Sequence, residues 1–351
     1  MKKYLLFVLV AFVSFSNGFA AELFKSQSND VIILAAPSIT DTYDDEFYAG
    51  VFDEIVDFDV DYANAIYGRD NVFILVDEKT RPYFNGRVPD SILVTTDALH
   101  IWMRDFTSIN PFNPIQFRYT PASFDKDQET ADVIQNEFNQ FIRNTLNVKI
   151  PQATSGKKYL KLDGGNIVDN YAGRVVVTER FLSDNGLTKA EGVQQLKRFL
   201  NANEVAIIPA DDPVLAHSDG MVMFGDENTL FVNEYDEPLH TAIINELESV
   251  FPDINIIEVE TAWDEADPTS ACGVNLNATV TTSYIYMPHF GDSVSDKALK
   301  TIQENTAKQV IPVPASKVCK LGGSVRCLSW QQSGVHGNRI IQSLGNRVAP
   351  D

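Results

Sequence analysis

The chain has 351 residues, and its 28 Lys and Arg against 48 Asp and Glu give a formal net charge of −20. With 44% hydrophobic and 22% charged residues, the composition excludes a disordered chain, a collagen or a coiled coil as the whole molecule. The acidic balance argues against a nucleic-acid partner, because phosphate binding needs clustered Lys and Arg. It favours a cationic ligand, which an acidic protein attracts at long range.

The first twenty residues predict a cleaved export signal. Lys2 and Lys3 form a basic start, an apolar run of nine residues follows over Leu5–Val13, and small residues end the segment at Gly18 and Ala20. A membrane anchor is the alternative, but nine apolar residues are too few to cross a bilayer, which needs about 20. We therefore expect a periplasmic or secreted protein that begins near residue 21 and has no membrane association after cleavage.

Three cysteines fall in the exported part, at Cys272, Cys319 and Cys327. An odd number leaves at least one thiol outside any intramolecular disulfide, and three pairings are possible. None of the spacings is typical of a zinc site. The remaining thiol is either a leftover or one that stays free because it reacts.

Short apolar runs of strand length alternate with segments of helical period. The runs lie at residues 31–34, 72–76, 92–94, 175–177, 206–208, 230–232 and 284–287. Helical period occurs at 131–146, 188–200, 239–251 and 295–308, and Thr188 with Glu191 forms a capping-box pattern. No Gly/Ser-rich or Pro-rich linker interrupts the series, and no repeat of clear fixed length is visible. The pattern predicts a continuous α/β body.

Four polar clusters interrupt this scaffold: Trp102–Asp105, Asp163–Asn166, His217–Gly220 and Gly322–Cys327. Polar residues at strand ends are where α/β folds place their sites, and paired glycines let the backbone approach a ligand closely. Each cluster also has a structural interpretation, such as a disulfide at Cys327 or a hydrogen-bonded core histidine at His217. A metal at His217 and Asp219 would need a third ligand, and no spacing supplies one, so we predict no metal or other cofactor.

Taken in order, the motifs resemble those of the bacterial-type peptidylarginine deiminase and agmatine deiminase family, of the guanidino-group-modifying superfamily. They are Trp-x-Arg-Asp, Asp-Gly-Gly-Asn, His-x-Asp, an Asn at 277 and Gly-Gly-x-x-x-Cys. The resemblance implies a single domain over 21–351 with the α/β-propeller (pentein) fold, in which five ββαβ modules surround a pseudo-fivefold axis.

The resemblance also implies a role for each matching residue. Cys327 is the nucleophile, His217 the general acid/base, and Asp105 and Asp219 the carboxylates that grip a guanidinium. Trp102 stacks on that cation, Asn277 and Arg104 contribute to substrate binding, and Asp163 orients the histidine. The nearby supporting residues are Gly164, Gly165, Asn166, Gly322 and Gly323. We expect Cys272 and Cys319 to pair, which leaves Cys327 free.

These residue types suit guanidinium hydrolysis. Carboxylates bind the planar cation through paired hydrogen bonds, and an aromatic face adds cation–π attraction. A thiolate attacks the central carbon, a histidine protonates the departing ammonia, and water releases a ureido product from the thiouronium intermediate. We predict deimination of free or peptidyl arginine to citrulline, with a small cationic guanidine or an arginyl peptide as the ligand, and the oligomeric state stays open.

Two departures from the family pattern concern arginines. Arg326 precedes the nucleophile where agmatine deiminases commonly have His. Relatives that act on C-terminal arginine are expected to hold the peptide carboxylate with arginines after Trp-x-Arg-Asp, and here residues 106–131 offer only Arg118. Peptide recognition therefore stays open on sequence grounds.

Four other interpretations stay open. Agmatine is the alternative substrate and would give N-carbamoylputrescine. An amidinotransferase would pass the amidino group to an amine instead of water. A non-catalytic exported binding protein would keep the acidic pocket and hold Cys327 in a disulfide. A cysteine protease would use Cys327 and His217 but would leave Trp102 and the acidic clusters without a role.

Overall fold

The computed structural model describes residues 28–38, 50–97, 100–120, 127–211, 215–262, 267 and 269–345. The predicted export signal lies outside these residues. Across the described part of the chain, no helix is both long and apolar enough to traverse a lipid bilayer.

Short strands and helices alternate along the described residues. The strands are β1 (Val31–Ala35), β2 (Asn71–Val76), β3 (Leu93–Thr95), β4 (Thr154–Ser155), β5 (Lys158–Tyr159), β6 (Val168–Asp169), β7 (Arg174–Thr178), β8 (Glu204–Ile208), β9 (Val222–Phe224), β10 (Thr229–Asn233), β11 (Asn255–Val259), β12 (Thr279–Val280), β13 (Tyr284–His289), β14 (Gln309–Pro314) and β15 (Trp330–Gln332). The helices are α1 (Phe52–Ile66), α2 (Met103–Phe106), α3 (Gln128–Thr145), α4 (Arg180–Asn185), α5 (Lys189–Leu200), α6 (Leu239–Val250), α7 (Ser293–Glu304) and α8 (Gly334–Gly345).

One ββαβ unit recurs in the sheets. In the sheets β6-β7-β8, β9-β10-β11 and β12-β13-β14, the first strand pairs antiparallel with the second, and the third returns through a helix to pair parallel with it. In the sheet β15-β1-β2-β3 the antiparallel strand comes from the other end of the chain, with Val31 opposite Gln332. Bridges Ile109–Ile115 and Gln116–Gln152 follow the same order around α3. This recurrence is consistent with a five-bladed propeller.

The first strand of each unit faces a shared centre. Residues of β6, β9 and β12 line one small cavity of about 20 Å³, and Arg326 lines it with them. We call β6, β9, β12 and β15 the inner strands. Apolar clusters fill the spaces between neighbouring units, as where Val176 and Ala206 pack with Leu230 and Ile243. The helices thus lie at the outside, and the polar turns that enter the inner strands meet at the centre.

The predicted elements match the structure in type, with some shifted boundaries. Residues 90–92 form a 3-10 turn, so the predicted strand at 92–94 is β3, which begins at Leu93. Thr188 and Glu191 form a complete capping box at the start of α5. Val133, an apolar position of the predicted helix at 131–146, is 52% exposed and lies off its buried face. Helix α1 and the inner strands were not predicted.

Candidate active site

The turns that lead into the inner strands carry the sequence motifs. The 3-10 turn Gly164–Asn166 precedes β6, and the turn Ser218–Gly220 precedes β9. Asn277 precedes β12, Cys327 precedes β15, and α2 with Asp105 precedes the bridge at Ile109. Equivalent turns of five successive units therefore converge, which brings residues more than 200 positions apart into one site.

Cys327 is a free, buried thiol at this point of convergence. Its Sγ lies 3.1 Å from Nδ2 of Asn277, which donates to it, and 3.9 Å from Oδ2 of Asp219. The other two cysteines, Cys272 and Cys319, form a disulfide, as expected. The binding-protein alternative predicted a disulfide at Cys327 and is wrong on this point.

Asn277 shapes the turn that holds the thiol. Its side-chain oxygen accepts the backbone N–H groups of Ser324 (3.3 Å), Arg326 (3.2 Å) and Cys327 (3.3 Å). Its amide group then points at Sγ. One buried amide thus fixes both the backbone around Cys327 and the direction of the thiol.

The surroundings keep Cys327 protonated in the free protein. Burial raises the pKa of the Cys327 thiol well above its usual value, and the carboxylates of Asp219 and Asp105 raise it further. The hydrogen bonds from Asn277 and from the Ser324 backbone act in the opposite direction. A cation bound beside the thiol would therefore favour the thiolate.

His217 lies between two carboxylates. Its Nε2 is 3.3 Å from Oδ2 of Asp163, and its Nδ1 is 3.8 Å from Oδ1 of Asp105. Burial alone disfavours the charged ring, yet Asp105 and Asp163 together outweigh burial and raise the pKa of His217 above its ordinary value. When protonated, the ring can donate through Nε2 to Asp163, and its Nδ1 lies on the side of Asp105.

Asp163 is itself fixed from behind. Thr120 donates its backbone N–H (2.7 Å) and its hydroxyl (3.0 Å) to Oδ1, and Arg180 lies 3.0 Å from Oδ2. Arg180 also donates to the carbonyl of Leu215 (2.5 Å) and lies 3.2 Å from Nε2 of His217. The histidine's orientation is therefore set by a carboxylate that is held by two hydrogen bonds from Thr120 and an ion pair with Arg180.

Asp105 is the most accessible of the three carboxylates, with its side chain 12% exposed. Burial raises the pKa of Asp105 to about 6, and the charges of Asp163 and Asp219 act in the same direction, while His217 opposes them. The backbone N–H of Gly165 donates to Oδ1 over 3.0 Å. Asp105 is thus held next to His217 with part of its carboxylate still open to a ligand.

Glycines allow the turns to approach one another. A Cβ at Gly165 would lie 2.5 Å from Nδ1 of His217 and 2.8 Å from Oδ1 of Asp105. A Cβ at Gly323 would lie 2.5 Å from the Trp102 ring and 3.1 Å from Sγ of Cys327. A Cβ at Gly164 would collide with the carbonyl of Arg104. The ring of the half-buried Trp102 therefore lies beside the nucleophile, where it can cover a bound cation.

Two predicted supporting residues act through the backbone. The side-chain oxygen of Asn166 accepts the N–H groups of Thr178 (2.9 Å) and Ser218 (3.3 Å), which ties the turn after His217 to β7. Gly322 adopts a φ of +94° and ends the turn Cys319–Leu321, next to the disulfide rather than the thiol.

The structure differs from expectation at Arg104. Its side chain was predicted to bind substrate, but Arg104 is 4% exposed and its Nε donates to the carbonyl of Arg326 over 3.3 Å. Burial and the charge of Arg326 lower the pKa of Arg104 to about 10. Arg104 thus stabilises the turn Gly322–Cys327 through its hydrogen bond to the Arg326 carbonyl.

Arg326 and Arg180 are the site residues that motif reasoning missed. Arg326 forms an ion pair with Asp219, Nη1 to Oδ2, at 2.8 Å. The resemblance implied that the Asp219 carboxylate binds the substrate guanidinium. In the structure this carboxylate is instead paired with Arg326. The position of Arg326 directly before Cys327 was the available signal, whereas no motif contains Arg180.

No cluster of three or more metal-binding side chains occurs in the part of the chain that the structure describes. The site is built instead from a thiol, an imidazole and three carboxylates. This set can bind a planar cation, attack its carbon and transfer protons.

Solved structures with the same fold are agmatine and arginine deiminases. The chain superimposes on the C. jejuni agmatine deiminase with a TM-score of 0.69 and 15% identity, over 87% of this chain and 93% of that one. The agmatine deiminase of Enterococcus faecalis gives 0.63 and 15%, over 88% and 94%. A Porphyromonas gingivalis protein provisionally named an arginine deiminase gives 0.64 and 17%, over 86% and 95%. These likenesses show the fold.

Among curated proteins, none matches the chain. A family model does match, that of the Porphyromonas-type peptidyl-arginine deiminase, over residues 26–333. That range includes every motif residue named above and all the inner strands. The chain therefore belongs to the Porphyromonas-type peptidyl-arginine deiminase family, hydrolases that act on guanidino C–N bonds.

Proposed function

We propose that this protein is an exported deiminase that converts free or peptidyl arginine to citrulline and ammonia. The observation that carries the proposal is that a free Cys327, held by Asn277, and a His217 whose pKa two carboxylates raise both lie where the turns converge, with the charge of Asp105 acting on each. The signal-like sequence at 1–20 supports export. Export in turn favours arginine substrates, because arginyl peptides are available outside the cell.

The proposed reaction begins when the guanidinium binds against Asp105 and Trp102. The bound cation lowers the thiol's pKa, and the proton leaves to solvent. The Cys327 thiolate forms a C–S bond with the guanidinium carbon, and His217 gives its proton to the departing nitrogen, so that ammonia leaves. His217 then accepts a proton from water, which attacks the thiouronium carbon. The C–S bond breaks as the hydroxyl proton of the adduct leaves to solvent, so that the ureido product forms and the Cys327 thiolate is restored.

Agmatine is the second candidate, and one contact favours it. Arg118, the arginine that was the candidate for holding a peptide carboxylate, instead forms a two-point ion pair with Asp132 at 2.5 and 2.9 Å. Its charge is therefore already matched. The agmatine deiminases that share the fold support a small guanidine as ligand.

The decisive experiment measures ammonia and ureido product from arginine, a peptide ending in arginine, and agmatine. We expect turnover of one of the arginine substrates, and none by Cys327→Ala, which removes the nucleophile and little volume. Preferred turnover of agmatine would replace the proposed substrate, and no turnover of any by intact enzyme would refute the proposal. Adding an amine acceptor tests the amidinotransferase alternative, which predicts transferred amidino product in place of ureido product.

A further inference from the structure

Arg326 is a partly buried cation directly before Cys327 for which the family reaction provides no role. Its side chain is 12% exposed, and its guanidinium donates to three acceptors on two different turns. These are Oδ2 of Asp219 (2.8 Å), the carbonyl of Ile167 (2.6 Å) and the carbonyl of Gly164 (3.4 Å). A planar fork with fixed donors suits this set, and a lysine could not satisfy it.

The backbone of Arg326 is equally fixed. Its N–H donates to Asn277 at the carbonyl (3.0 Å) and the side-chain oxygen (3.2 Å), and its carbonyl accepts from Arg104 and Ser329. Arg326 also lines the small cavity between the inner strands. Its guanidinium therefore approaches Asp219 from the centre of the molecule.

This ion pair changes what Asp219 offers to a ligand. Oδ2 of Asp219 is both the oxygen bound by Arg326 and the oxygen 3.9 Å from Sγ of Cys327. An unpaired carboxylate there would repel the thiolate strongly, because the site is buried and electrostatic interactions are strong. The other titratable or charged groups around this pair are Asp105 and Arg104 on α2, Asp169 on β6, Tyr171 and His217.

We propose that Arg326 is a positioning residue that holds Asp219 from the central cavity, so that Asp219 acts as half of an ion pair while Asp105 supplies the free charge for the guanidinium. This inference rests on the proposed function for the role of Asp105. The part of the inference in which Arg326 holds Asp219 concerns only the environment of Cys327, so it can be tested without any substrate.

The test measures the rate of Cys327 alkylation by iodoacetamide from pH 7 to about 11.5, a range that extends above the raised pKa of the buried thiol, with the disulfide intact. In Arg326→Gln the freed charge of Asp219 disfavours the thiolate, so we expect the midpoint to rise by about one pH unit or more. In Asp219→Asn the unmatched Arg326 favours the thiolate, so the midpoint falls. In the double variant Arg326→Gln/Asp219→Asn the alkylation midpoint should return close to that of the parent, because neither charge is then left unmatched. Arg118→Gln, which breaks a surface pair with Asp132, is the matched control and should leave the midpoint unchanged.

Kinetics give a second readout. With the substrate that the assay above identifies, Arg326→Gln should lower kcat about tenfold or more without raising KM, because the freed Asp219 still attracts the cation. An unchanged alkylation midpoint in a folded Arg326→Gln variant would overturn the proposal. If that variant does not fold, an unchanged midpoint in Asp219→Asn would overturn it equally. Alkylation needs no turnover, so failure of the proposed function would show separately, as loss of product with the midpoint shifts intact.

Discussion

Among single residues, Asp105 has the ionisation that would most directly limit substrate binding under the proposed function. Burial raises the pKa of Asp105 to about 6, so its charge is complete above that pH and is lost as the pH falls through it. We therefore expect kcat/KM to fall on the acid side with a midpoint near pH 6. Asp105→Asn should lower kcat/KM by about 100-fold or more and remove this limb. Measuring kcat/KM between about pH 3.5 and 8.5 for both proteins tests this prediction. A fall in kcat/KM centred near pH 4, or one that persists in Asp105→Asn, would contradict it.

Gly165 tests how closely the turns must approach. A methyl group there would lie 2.5 Å from His217 and 2.8 Å from Asp105, so both side chains would have to move. We expect Gly165→Ala to lower kcat about 100-fold or more with a small change in melting temperature, since a misplaced acid/base costs rate. Gly220→Ala is the matched control on a neighbouring turn, because its nearest contact would be Val274 at 3.8 Å. Equal activity in the two variants would show that the approach at Gly165 is unimportant.

Residue patterns predicted part of the site. Short side chains such as Asp163, His217 and Asn277 stand in motifs, and the fold brings them within hydrogen-bond distance of each other or of partners such as Cys327. Their catalytic roles stay predictions. The partners of long arginine side chains were harder to predict. Arg326 pairs with Asp219, 107 positions away, and nothing in the local sequence specifies that partner.

At the scale of elements, helix α1 carries a buried acid. Asp59 is 2% exposed, and its Oδ2 has no hydrogen-bond partner among the described residues. Burial raises the pKa of Asp59 well above its usual value. The folded protein therefore binds a proton that the unfolded chain releases near pH 4, and the stability from this site is lost as the pH rises towards the folded pKa.

We expect Asp59→Asn to stabilise the protein at pH 8 by about 1 kcal/mol or more, and to have a smaller effect at pH 5, since the amide never has to be ionised. Urea unfolding at the two pH values measures the difference. Asp57→Asn is the control on the same helix, because Asp57 is paired with Lys317 and Arg87 at the surface and should lose a little stability instead. A stabilisation by Asp59→Asn that is independent of pH would refute the explanation.

The elements that sequence reasoning missed share a physical cause. The inner strands β6 and β12 have two residues each, too few to show any period. Helix α1 has buried residues at helical spacing, such as Ile55, Tyr62 and Ile66, but Asp59 stands on the same buried face and interrupts its apolar pattern. The outer strands such as β7 and β10 were predicted because they are continuous apolar runs, as fully buried strands are.

At the scale of the molecule, the two ends of the described chain meet in one sheet. β15 pairs with β1, which completes a unit whose other strands, β1, β2 and β3, all end before residue 96. Sequence could not show this pairing, because β15 is polar at two of its three positions and no local signal names its partner. The resemblance supplied the closed arrangement, and the recurring unit that the structure shows agrees with it.

The disulfide between Cys272 and Cys319 acts on this same scale. It closes a 47-residue loop that contains Asn277 and the whole unit β12-β13-β14, and ends near the nucleophile turn. Fixing the loop restricts the unfolded chain, so we expect Cys272→Ala/Cys319→Ala to lose about 2–4 kcal/mol of unfolding free energy. Dithiothreitol should destabilise the parent protein by a similar amount and leave the double variant unchanged. Cys327→Ala is the control, because it removes only the free thiol and should keep the full response to reductant. A response to reductant in the double variant, or none in the parent, would contradict this assignment of the stabilising bond.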